Sequence, residues 1–289
     1  MIVMRLKGGL GNQLFQYALG RYLSYSKNTT LSLDTSSYHI DRLRVYRLDC
    51  FEITASASDR LPFFATDGRL KHFNTILQTL KGLFSQPFQI IKESAFPFDA
   101  SVLACSDQAY LDGFWQSEQY FAPIADLIRH DLRLKNPLPP ALQALADQIQ
   151  ATNAIAVHVR RGDYVSNPIT TAYHGVCSVD WYENAAKLML QRVDNPTFFV
   201  FSDDYVWVRE NIAFDAPTVF IPPSPDGQEC NDLHVMSLCQ HHIIANSSFS
   251  WWGAWLNANP HKIVIAPQQW FAAGKHDTKD LIPPSWIRL

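Results

Sequence analysis

Three strings in the chain carry side chains whose types and spacing suit a phosphorylated ligand. The first is Ala154–Asp163, which reads AIAVHVRRGD. Side chains alternate along a strand, so Ile155, Val157 and Val159 share one face while Ala156, His158 and Arg160 share the other. His158 and Arg160 then project together near the strand's carboxyl end, and Gly162 permits the turn that follows. A guanidinium presents a rigid fork of donors that matches a phosphate. An ion pair with a neighbouring carboxylate such as Asp163 is the competing reading.

The second string, Phe198–Asp204, is an apolar strand ending in two acids. Acids just beyond a strand can bind a ribose hydroxyl or a base edge. They can also cap the next helix, or form part of a metal site, although no third acid lies nearby to complete an oxygen shell. The third string is Ile243–Trp255, IIANSSFSWWGAW. Here a strand delivers Asn246, Ser247 and Ser248 to the start of a helix in which Phe249, Trp252 and Leu256 recur at core spacing. Free N–H groups and the helix dipole make such a junction an anion site; a well-capped helix with core tryptophans is the bland alternative. Near the start, Gly8-Gly9-Leu10-Gly11-Asn12-Gln13 lacks the Gly-Lys-Ser/Thr of a Walker loop and has Leu14 where a dinucleotide fingerprint needs its third glycine. It reads as a loop of close backbone approach with Asn12 at its tip.

These residues need elements to hold them. Ile2–Leu6, a glycine turn, a helix through Leu14, Tyr17 and Arg21, and a strand at 29–33 form the opening of an α/β sheet. Further strands are predicted at 109–114, 154–159, 197–201, 218–221, 242–245 and 262–266. Helices are predicted at 71–84, from about Ser117 onward, and at 180–193, 232–240 and 249–257. Asn136–Pro140 reads as a linker, with a helix beginning near Ala141. The expected organisation is therefore two Rossmann-like halves, 1–135 and 136–289, with a ligand at the carboxyl ends of the strands. Residues 36–105 carry no recognisable motif.

The chain has 289 residues, 47% of them apolar and 18% charged, enough apolar material for one or two cores. A net charge of −3 argues against a protein that holds nucleic acid by bulk charge. The five cysteines are scattered without a C-x-x-C pair, which speaks against a zinc site or a disulfide framework. The first residues form no apolar stretch of signal-peptide length, and no window offers about 18 consecutive apolar residues. A cytoplasmic enzyme is expected, with peripheral attachment to the inner face of a membrane left open.

Taken together, GGLGNQLFQYA at 8–18, HVRRGDY at 158–164, FSDD at 201–204 and NSSFSWWGAWLN at 246–257 resemble the bacterial α-1,2-fucosyltransferases of glycosyltransferase family 11. The resemblance implies an α/β fold of GT-B type, two facing Rossmann-like domains, with GDP-fucose held by the C-terminal one. By the same resemblance Arg160 grips the β-phosphate and His158 helps hold the nucleotide. Asp203 and Asp204 read guanine and ribose, and Ser247, Ser248 and Phe249 bind the diphosphate. Asn12 approaches the donor phosphate and a galactoside acceptor. An arginine and a helix dipole can neutralise departing GDP without a metal, so the expectation is an inverting, metal-independent transferase with no cofactor beyond its donor substrate. The general base stays open among Asp163, His174, Asp180 and the phosphate itself. Rival readings are another linkage or another GDP-sugar, and a carbohydrate-binding protein without catalysis.

Overall fold

In the computed structural model, residues 1–289 are described apart from 42, 60–87, 226, 273 and 275. The predicted helix at 71–84 lies outside the described residues. The chain divides into two compact units, one of residues 1–46 with 53–128, the other of 47–52 with 129–289. Among the described residues, no helix is long and apolar enough to cross a membrane.

The first unit is built on β1 (Ile2–Arg5), β2 (Leu31–Asp34), β3 (Ser56–Ser58), β4 (Gln89–Lys92) and β5 (Ala109–Asp112), in the order β3-β2-β1-β5-β4. All pairs are parallel. Ile2, Val3 and Met4 are fully buried, as the central strand of a covered parallel sheet requires. Gly8, at φ +77, turns the chain into α1 (Leu10–Ser26), whose Leu14, Phe15, Ala18 and Leu19 are buried. The short strands β3 and β4 have no counterpart in the sequence reading, because three or four residues with exposed positions give no clear period.

The helix expected from Ser117 is two 3-10 turns, at 118–120 and 122–124, before α2 (Ala125–Asp131). Asn136–Pro140 is not a linker: the second unit already begins at Arg129, and Pro140 is the first residue of α3 (Pro140–Gln150). Proline suits that position because the first helical N–H has no intrahelical partner. Residues 47–52 cross to the second unit, where Glu52 N–H donates to the Arg133 carbonyl at 3.0 Å and Lys135 N–H to that of Cys50 at 2.9 Å.

The second sheet contains β6 (Asn153–Val159), β7 (Pro196–Ser202), β8 (Thr218–Ile221), β9 (His241–Ile243), β10 (Val264–Ala266) and β11 (Ile287–Arg288). Its order is β11-β10-β9-β6-β7-β8, again all parallel. Helices α4 (Gly162–Ser166), α5 (Pro168–His174), α6 (Val179–Leu190), α7 (Tyr205–Asn211), α8 (Glu229–Ser237) and α9 (Ser248–Leu256) connect or cover these strands. Ile155, Val157 and Val159 pack with Tyr182, Met189 and Val200, while Ala154 and Ala156 pack with Phe199, Phe201 and Met236. The predicted alternation along β6 therefore holds, with both faces covered. The expected α/β class holds: each unit contains one parallel sheet packed with helices. The chain order reverses between β6 and β9, and in sheets of this kind ligands bind at such a switch point, beyond the strands' carboxyl ends.

Candidate functional site

β6 delivers its polar end to this switch point. His158 is 5% exposed, and its ring centroid lies 5.6 Å from that of Phe249. Its Nδ1 has no hydrogen-bond partner. Burial, and secondarily the Arg160 charge, push its pKa down to about 3, so the imidazole is neutral at pH 7.

Arg160 Nη2 lies 2.5 Å from Asp163 Oδ1, and Nη1 lies 2.8 Å from Asp203 Oδ2. The guanidinium also stands 5.3 Å from the Tyr164 ring centroid. Burial alone would lower the Arg160 pKa; the Asp203 and then the Asp163 carboxylates outweigh it and raise it above its ordinary value. The ion pair with Asp163 is thus real, but it does not remove the arginine from view. A guanidinium has five N–H donors, and 21% of this side chain remains exposed, so it can serve two carboxylates and still meet an incoming anion.

The two acids after β7 each have partners within the protein. Asp203 Oδ1 accepts the Arg161 backbone N–H at 2.8 Å. Asp204 accepts the Trp207 N–H as the N-cap of α7, and its Oδ2 lies 3.1 Å from Arg161 Nε. The capping reading of Asp204 is therefore realised, and among the described residues no group of three His, Cys, Asp or Glu side chains is placed to hold a metal ion. Arg161, whose guanidinium lies 3.7 Å from the Trp207 ring centroid, had no role in the sequence reading. Its signal was present in the adjacent Arg160-Arg161 pair followed, one strand later, by an adjacent pair of acids.

β9 supplies the other side of the switch point. Ser247 is the N-cap of α9, yet its side chain accepts no helix N–H. The Ser247 hydroxyl therefore does not cap the helix N–H groups that the anion-site reading of this junction invokes. Ser250 Oγ instead donates back to the Ala245 and Ser247 carbonyls, at 3.4 and 3.2 Å. Phe249 is half-buried against His158, whereas Trp251, Trp252 and Trp255 are core. Phe249 thus meets His158 directly, and Arg160 and the Ser247–Ser248 helix start follow the ends of the neighbouring strands β6 and β9, on either side of one switch point.

Asn12 belongs to the first unit. Its Oδ1 accepts from Gln116 Nε2 at 2.7 Å, and a Cβ on Gly8 would stand 2.5 Å from its Nδ2. The glycine thus makes room for the folded-back carboxamide. Of the base candidates, Asp163 is tied to Arg160, and Asp180 sits exposed in the first turn of α6. His174 stacks on Tyr164 with centroids 4.5 Å apart and planes 12° from parallel.

The model of the family described as Glycosyl transferase family 11 matches residues 1–289. The Alpha-1,2-colitosyltransferase of Escherichia coli is 34% identical, over 100% of this chain and 99% of its own. The O-antigen biosynthesis glycosyltransferase WbnK of Escherichia coli is 30% identical over 98% of this chain and 99% of its own. The Galactoside 2-alpha-L-fucosyltransferase Sec1 of Mus musculus is 25% identical over 89% and 64%. Among solved structures, NodZ alpha-1,6-fucosyltransferase co-crystallized with GDP superposes with a TM-score of 0.49 at 14% identity, covering 88% of this chain and 91% of that one.

Proposed function

The chain belongs to glycosyl transferase family 11, and we propose that within this family it transfers L-fucose from GDP-β-L-fucose to the 2-hydroxyl of a galactose-containing glycan. One observation carries the reading. A partly exposed arginine at the end of β6 and, after β9, a helix start that the Ser247 side chain does not cap flank a single switch point, and together they suit a diphosphate. As the bond from the sugar C1 to the β-phosphate oxygen breaks, charge grows on that phosphate. Fixed donors aimed at it stabilise the transition state more than the ground state. The acceptor hydroxyl attacks from the opposite face and inverts the anomeric carbon, with its proton passing to Asp163 in this reading. Asp203 and Asp204 each face an arginine, which supports a reaction that proceeds without a metal. A cytoplasmic setting fits a sugar-nucleotide donor.

A second reading concerns the donor sugar. A relative 34% identical over the whole chain carries the name of a colitosyltransferase, and colitose is fucose without its 3-hydroxyl. A site that hydrogen-bonds that hydroxyl rejects the deoxy sugar strongly, whereas an apolar one accepts both.

The deciding experiment incubates the protein with lactose and, in parallel, GDP-fucose or GDP-colitose, in EDTA, and assigns the product linkage by NMR. Fucosyl-α-1,2-galactose as the preferred product supports the first reading. A kcat/KM favouring GDP-colitose replaces it with the second. Loss of all activity in EDTA, restored by Mn²⁺, overturns the metal-independent mechanism.

A further inference from the structure

Arg160 and the N-terminus of α9 sit at the ends of different strands, so gripping one diphosphate requires a fixed spacing between them. Three residues close a circuit across that gap. The Tyr164 ring stacks on His174. The carbonyl of His174 accepts from Asn246 Nδ2 at 2.8 Å. The carbonyl of Asn246 in turn accepts from the Tyr164 hydroxyl at 3.4 Å. Two of the three have a neighbour in the proposed site: Arg160 lies over the Tyr164 ring, and Asn246 directly precedes Ser247. Further bonds anchor the circuit. Thr171 Oγ1 donates to the Tyr164 carbonyl at 2.6 Å, and Asn246 Nδ2 also reaches the Trp270 carbonyl at 3.2 Å.

Tyr164 is 8% exposed, so it acts through other groups and presents little surface to a ligand. Its ring also gives the guanidinium an attractive face at 5.3 Å, and a cation held over a desolvated ring is substantially stabilised there.

We propose that Tyr164 is the positioning residue of this site: its ring sets where the Arg160 guanidinium stands, and its hydroxyl ties that arginine's loop to the backbone leading into the Ser247–Ser248 helix start. The proposal rests on the reading that Arg160 and this helix start bind GDP. It is independent of which sugar or acceptor is used.

The test is calorimetric titration of the full chain with GDP, wild type first. A wild type that does not bind GDP overturns the nucleotide reading, and the proposal with it. Given binding, Tyr164→Leu should weaken GDP by about tenfold or more, and Tyr164→Phe, which keeps the ring, by about threefold at most. In turnover, the donor kcat/KM should fall by more than the GDP affinity does, because a misplaced Arg160 also loses hold of the charge that grows on the β-phosphate, a split that general loosening of the fold would not produce. A folded Tyr164→Leu protein that binds GDP within about twofold of wild type overturns the proposal. Should that variant fail to fold, His174→Ala decides: it removes the support of the ring and should weaken GDP at least threefold by this account, and unchanged affinity overturns the proposal.

Discussion

The Arg160 guanidinium meets the Asp203 carboxylate at 2.8 Å, through the same Oδ2 that would lie 2.5 Å from a Cβ added to Gly162. Gly162 sits in the turn after β6, but its lack of a side chain matters for a second reason: it leaves room for the acid that holds the arginine. Asp203 cannot swing aside at little cost, because its Oδ1 accepts the Arg161 N–H. Gly162→Ala should therefore displace Asp203 and misplace Arg160. The expected outcome is a loss of about tenfold in GDP affinity with a melting temperature only a few degrees lower, read by calorimetry and thermal unfolding.

Arg160→Ala should lower the transfer rate by about 10²–10³ while the protein stays folded, the range seen when one preorganised donor to a developing anion is removed. Arg160→Lys should recover little of it, since an ammonium cannot reach two carboxylates and a phosphate in fork geometry. Steady-state rates with circular dichroism as the folding control make the measurement. An Ala variant that keeps a tenth of the wild-type rate refutes the role.

Asp204 caps α7 and pairs with Arg161. Asp204→Ala should cost about 1 kcal/mol through the lost cap, or about 2 °C in melting temperature. Preference for GDP over ADP should be unchanged if these contacts are its whole task. Competition titrations of the two nucleotides check this, and a selective loss of GDP would restore the acid as a base reader.

His158 and His242 are both buried, and burial pushes each pKa down to about 3. In the unfolded chain each titrates near 6.5, so below that pH the unfolded state binds protons that the folded state does not. The stability present above pH 6.5 is thus lost as the pH falls from about 6.5 towards 3, by about 1.4 kcal/mol per pH unit for each histidine. Denaturant unfolding at pH 7, 6 and 5 should show this decline, and His242→Gln should make it shallower. A slope that His242→Gln leaves unchanged would rule out His242 as a source.

The placement of the candidate residues was legible in the sequence because they follow apolar strands directly in the chain. The alternation through Ala154–Val159, the acids after Phe201 and the serines after Ala245 each place polar groups at a strand's end by local rules alone. The central strands could be read for the same reason, since buried parallel strands are short apolar runs. Exposed edges were not: β3, β4 and β11 bury little and show no period. The proline run at 137–140 looked like a boundary because proline both opens helices and ends them, and one sequence does not say which.

What the sequence alone determined is the set of residue types, the order of the elements and the end of each strand at which the chemistry sits, all consequences of side-chain alternation and of glycine and polar residues ending apolar runs. Partnership was decided by the tertiary structure. The β6–β7 register sets His158 beside Phe201 and Val159 beside Ser202, which carries Arg160 to Asp203 and leaves Gly162 against the same carboxylate. The placement of β9 on the other side of β6 brings Asn246 to Tyr164. Hydrogen bonds between parallel strands join any two extended segments equally well; which ones become neighbours, and in what register, follows from packing both faces of the whole sheet at once.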